Sequence, residues 1–99
     1  MDLRAVCQEM DLLVRSNGWY ASQSRKPQTP KNLAISLCLE SAELLERFQW
    51  SETADTAAVA TELADIVLFV AQIANIMELD LAASVAEKIK LNRLRTWKD

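Results

Sequence analysis

Apolar residues recur at helical spacing along nearly the whole chain, and the polar breaks between these runs divide it into four segments. Residues 2–17 carry Leu3, Val6, Cys7, Met10, Leu13 and Val14 on one face at i, i+3, i+4, i+7 spacing, and Asn17-Gly18 stops the run. A polar, aperiodic stretch, WYASQSRKPQT from Trp19 to Thr29, follows as a loop longer than most helix connections. Trp19 and Tyr20 in it serve either to cover a flat ligand or to pin the loop to the helices. Thr29-Pro30 is a helix start with Thr29 as N-cap and Pro30 at the first helical position, where its missing N–H costs nothing. The second helix is expected over 30–49, and Ser51 or Thr53 is the expected cap of a third helix over 55–77. Asp80 is expected to cap a fourth, 81–97, whose apolar face is Leu81, Ala82, Val85, Ala86 and Ile89.

The second segment carries the most unusual pattern. On a helical wheel Leu33, Ala34, Leu37, Cys38, Leu44, Leu45 and Phe48 fill one arc, and Ile35, Leu39 and Ala42 extend the apolar surface round the back. What remains is a narrow strip of Ser36, Glu40, Glu43 and Arg47. A helix apolar almost all round is expected to be buried, so Glu40 and Glu43 are expected to face inward or into a cleft. The third segment repeats the design: Leu63, Ala64, Val67, Val70, Ala71, Ala74 and Met77 cover most of its circumference, while Thr61, Glu62, Asp65 and Gln72 share one strip. Packed antiparallel, two such helices bring four carboxylates together. A buried carboxylate cluster must become neutral, find cationic partners or hold a metal ion.

Composition narrows these choices. With 99 residues the chain reads as one small all-α domain, and 51% hydrophobic content with one Gly and two Pro leaves little material for anything but long helices. The second and third helices have more apolar circumference than two short flanking helices can cover, so a homodimer or homotetramer is expected. A net charge of −3 argues against nucleic-acid polymers and membrane surfaces as partners. The most apolar run, Ile66 to Ala71, is far short of a membrane span, no signal pattern opens the chain, and Cys7 and Cys38 read as buried free thiols. The expected compartment is therefore the cytoplasm. The absence of histidine disfavours zinc hydrolase sites, Glu-x-x-His di-iron sites and histidine-based triads. A carboxylate-only set suits a hard cation, Mg2+ or Mn2+. Lys88, Asn92 and Arg95 form a cationic, amide-bearing strip on the fourth helix, suited to phosphate, although a helix C-terminus attracts Lys and Arg in any case.

Glu40-x-x-Glu43, then Glu62-x-x-Asp65, then Lys88-x-x-x-Asn92 with arginines after it, resembles the MazG-like nucleoside triphosphate pyrophosphohydrolases over residues 30–95. Pro30-Lys31-Asn32-Leu33, Phe48-Gln49-Trp50 and Glu62-Leu63-Ala64-Asp65 resemble the branch that cleaves dCTP and related pyrimidine nucleotides. The resemblance implies a MazG-like four-helix bundle completed by another subunit and Mg2+ held by Glu40, Glu43, Glu62 and Asp65, which also act in catalysis. It further implies cleavage to nucleoside monophosphate and pyrophosphate. Lys88, Asn92 and Arg95 would contact phosphates, and Trp50, Phe69 and Trp19 are the aromatics available to a base. Many members carry a Glu directly before the first acid; here that position is Leu39, which would alter the number of metals bound. Two other readings stand beside this one. One is a phosphoribosyl-ATP pyrophosphohydrolase of the same fold. The other is a non-enzymatic helical oligomer or regulatory binding module whose acidic strips pair with Arg47, Lys88 or Arg95 across subunits.

Overall fold

The computed structural model describes residues 1–18 and 25–95, and every regular element among them is helical: α1 (Leu3–Ser16), α2 (Pro30–Glu46), α3 (Thr56–Ile76) and α4 (Leu81–Leu94). Trp19 and Tyr20, and the last residues of the expected fourth helix, lie outside the described residues.

Each helix starts where a side chain can satisfy orphan N–H groups. Asp2 accepts from Ala5 N–H at 2.8 Å, Thr29 from Asn32 N–H at 3.2 Å with Pro30 behind it, and Asp80 from Ala83 N–H at 3.0 Å. The cap of α3 is Asp55, which accepts from Ala57 N–H at 3.3 Å, and not Ser51 or Thr53. Those two hydroxyls lie 3.1 Å from each other, and Ser51 Oγ accepts the Thr53 N–H, so they fold the connection instead of opening the helix. At the far end of α3, Leu79 N–H reaches Ala74 C=O at 2.8 Å and Glu78 N–H reaches Asn75 C=O at 3.2 Å, a Schellman closure. Its left-handed position, φ +55°, is filled by Glu78 and not by glycine.

α3 is the centre of the bundle: α2 packs along one side of it and α1 along another, while α4 packs mainly on α1. The buried apolar residues among those described are Met10, Val14, Leu33, Ala71 and Ala74, and Cys7 and Leu68 pack against the cluster of Met10, Val14 and Ala71. Asn75 Nδ2 donates to Cys7 C=O at 2.9 Å, tying α3 to α1. The Arg4 guanidinium meets Asp80 at 3.0 Å, tying α1 to the start of α4; the Ala83 N–H and that guanidinium together hold the Asp80 carboxyl below the usual range.

Several expectations about burial are corrected here. α2 buries only Leu33 in one chain, leaving Ile35 50%, Leu39 63% and Leu45 70% exposed, because its sole extensive neighbour is α3. Cys38 is exposed and Cys7 half-buried, so neither is the fully buried thiol expected. The Cα radius of gyration is 15.9 Å, against about 13 Å for a compact chain of this length. α3 is also long and apolar enough, by length and composition, to cross a membrane. The run from Ile66 to Ala71 understates it because Glu62 and Asp65 break the apolar count without breaking the helix. With helices packed on two sides and two carboxylates toward α2, α3 is built as the centre of a helical bundle.

Candidate metal centre

Antiparallel packing of α2 on α3 pairs Glu40 with Asp65 and Glu62, the arrangement expected from the two acidic strips. One carboxylate oxygen from each of Glu40, Glu62 and Asp65 lies within 4.8 Å of the other two. Glu43, the fourth acid expected there, is exposed at the edge of this triad. It sits three residues after Glu40, so the helix turns it away from α3 toward solvent while leaving it beside Glu40.

The electrostatics are those of a site short of positive charge. The Glu40 carboxyl is held above the usual range, first by burial, then by a hydrogen bond shared with Glu43, then by the negative charges of Glu43, Asp65 and Glu62. Glu62 is 4% exposed and meets one cation: Arg47, at the C-terminus of α2, donates from Nη2 to Glu62 Oε1 at 3.0 Å. The pairing of Arg47 with an acidic strip is thus formed inside one chain. Glu62 Oε2 and Glu40 Oε2 are both buried and accept no hydrogen bond. Two orphaned carboxylate oxygens in a three-carboxylate cluster form a donor set that fits a hard divalent cation.

Two hollows are lined by sequence neighbours of these acids. One, about 360 Å3, is lined by Lys26, Pro27, Gln28, Asn32, Leu33, Ile35, Ser36 and Phe69. Ser36 is one helical turn before Glu40 and Phe69 one turn after Asp65, so this hollow adjoins the carboxylates at about 5 Å along the helix axes. The other, about 490 Å3, is lined by Glu43, Glu46, Arg47, Gln49 and Trp50. Trp50 is 90% exposed. The two aromatics expected near a base, Phe69 and Trp50, therefore open onto opposite ends of the acidic strip.

Lys88, Asn92 and Arg95 lie on α4 or its C-terminal cap, and the main packing partner of α4 is α1. Lys88 and Arg95 are not among the charges that shift the Glu40 carboxyl. Trp19 lies outside the described residues. Gln28 is not legible as a site-lining residue in the sequence, and Asn32 enters only within the Pro30-Lys31-Asn32-Leu33 resemblance, since polar residues just before and inside the first turn of a helix read as capping and turn chemistry. The sequence also gives Arg47 no assigned partner within the chain, because a cation at a helix end signals nothing until the opposing helix is in place.

No protein-family model matches the chain. It is 33% identical to dCTP pyrophosphatase 1 of Rattus norvegicus and 32% identical to dCTP pyrophosphatase 1 of Homo sapiens, in each case over 76 residues, 67% of this chain and 45% of the relative. The chain thus spans less than half the length of these curated relatives. A crystal structure of a pyrophosphatase from Archaeoglobus fulgidus matches it with a TM-score of 0.75 and 29% identity, over 95% of this chain and 91% of that one. These likenesses support a MazG-like, dCTP pyrophosphatase-like relationship. The all-α fold fits that relationship.

Proposed function

We propose that the chain is a nucleoside triphosphate pyrophosphohydrolase that depends on Mg2+ or Mn2+ and cleaves a (d)NTP to the (d)NMP and pyrophosphate, with a pyrimidine deoxynucleotide such as dCTP preferred. The observation that carries the reading is the convergence of Glu40, Glu62 and Asp65, with two buried carboxylate oxygens that accept no hydrogen bond. The likeness to dCTP pyrophosphatase 1 supports the choice of substrate.

In this reading Glu40, Glu62 and Asp65 hold the cation, with Glu43 at the rim. When bound, the ion neutralises phosphate oxygens and lowers the pKa of the attacking water. The water oxygen bonds to the α-phosphorus, the bridging oxygen leaves with pyrophosphate, and Glu43, hydrogen-bonded to Glu40 and open to solvent, accepts the water's proton. The hollow beside Phe69, with an apolar wall and the Gln28 and Asn32 amides, has the mixture of surfaces that a base requires. A second copy of the chain covers the exposed apolar surface of α2 and α3 and brings Lys88, Asn92 and Arg95 to a neighbouring site.

The Arg47 to Glu62 bridge is the one observation that favours a non-enzymatic helical module instead. A panel of ribo- and deoxynucleoside triphosphates with Mg2+, scored for pyrophosphate, separates the two. Pyrophosphate release with dCTP, abolished by chelator, is expected; no turnover of any nucleotide would defeat the enzymatic reading.

A further inference from the structure

Arg47 is the one cation bridged to the carboxylate cluster among the described residues, and it touches only one end of it. Its Nη2 donates to Glu62 Oε1 at 3.0 Å, whereas Glu62 Oε2, on a side chain 6% exposed, is left buried and without a partner. One oxygen is neutralised from the α2 end, and the other is left as a buried acceptor with no partner. We propose that Arg47 is a built-in counter-cation of the metal centre: it balances Glu62 in the metal-free protein and thereby sets how tightly the centre binds a divalent ion. This rests on the metal reading given above.

Two effects of Arg47 on cation binding oppose each other. It holds Glu62 in one orientation, which favours binding, and it places a positive charge beside the incoming ion, which opposes it. The first is the smaller. Packing already restricts Glu62, which is 4% exposed, so little rotamer freedom is left for Arg47 to remove. The second acts between a guanidinium bonded to one oxygen of Glu62 and a divalent ion that the same carboxylate would hold; even with the screening expected of a guanidinium 47% exposed, that repulsion would weaken binding on the order of tenfold. Arg47 is accordingly a positioning and charge-balancing residue, not a catalytic one. It keeps the empty cluster from being an uncompensated group of carboxylates.

The test is Mn2+ binding to the whole chain without nucleotide, followed by electron paramagnetic resonance of the free ion, in the wild type, Arg47→Gln and Arg47→Lys. Gln retains a donor to Oε1 without the charge, and Lys retains the charge. Arg47→Gln is expected to bind Mn2+ about tenfold more tightly than the wild type, and Arg47→Lys to stay within about threefold of it. Equal affinities in all three, or weaker binding by Arg47→Gln, would overturn the assignment and leave the metal reading standing; no Mn2+ binding by the wild type would overturn both. If Arg47→Gln does not fold alone, recovery of its helical circular dichroism on adding Mn2+ supports the counter-cation role. A chain that stays unfolded with Mn2+ makes the bridge purely structural and refutes it.

Discussion

Glu62→Gln tests the centre most directly, because Glu62 belongs at once to the carboxylate cluster and to an ion pair. Gln is nearly isosteric, so the buried site should keep its shape, and the amide oxygen can still accept from Arg47. What changes is charge. The lost attraction to Arg47 is small, about 1 kcal/mol or less, because the guanidinium is 47% exposed and screened by water. Against it stand the relief of repulsion from Glu40 and Asp65 and the lower cost of burying a neutral side chain at 4% exposure. The net change in metal-free stability should fall within about 1 kcal/mol, or roughly 4–8 °C in Tm for a chain of this size. Turnover should fall much further, by at least about 100-fold, since mutations one shell outside a metal site already cost 10- to 100-fold. The assays are pyrophosphate release from dCTP with Mg2+ and thermal unfolding by circular dichroism in chelator. Retained turnover would remove Glu62 from the metal centre. A stability loss above about 3 kcal/mol with parallel loss of activity would instead make the ion pair its main role.

Other measurements probe the surroundings. The native Glu40 carboxyl holds its proton to higher pH than in the unfolded chain, so the native state binds more protons there and its stability falls as pH rises from the ordinary carboxylate value through the raised one; metal-free Glu40→Gln should lose that part of the decline in Tm. Glu78→Gly, at φ +55° in the Schellman closure of α3, should stabilise the chain by about 1 kcal/mol in thermal melts, whereas no change would mean that the Glu side chain offsets its backbone strain. Trp50→Ala should leave Tm unchanged, since the ring is 90% exposed, and raise KM for dCTP more than it lowers kcat; unchanged KM and unchanged preference among dCTP, dTTP and dATP would place Trp50 outside the substrate site. Sedimentation at micromolar concentration should show a dimer or tetramer, and a well-folded monomer would mean that the exposed apolar surface of α2 is tolerated in water.

The four helices and most of their limits are legible in the amino-acid order alone, because those depend on local physics. Apolar spacing fixed the helical period, and Asp2, Thr29-Pro30 and Asp80 satisfy N–H groups within a few residues of themselves. Local chemistry does not pick the cap of α3: Ser51, Thr53 and Asp55 are all competent acceptors, and the choice of Asp55 turns on how the connection folds. The acidic strips were legible for the same reason as the helices, since i, i+3 carboxylates on an otherwise apolar helix are visible as a pattern. Only the tertiary structure decided which acids meet. Antiparallel packing of α2 on α3 gathers Glu40, Glu62 and Asp65, leaves Glu43 at the rim, and carries Arg47, fifteen residues from Glu62 in sequence, into contact with it. The packing of α4 mainly on α1, which puts Lys88, Asn92 and Arg95 on a helix outside the α2–α3 pair, is likewise a tertiary fact. Periodicity tells which residues share a face; which faces meet is fixed by the crossing of helices, and burial and pairing follow from that crossing.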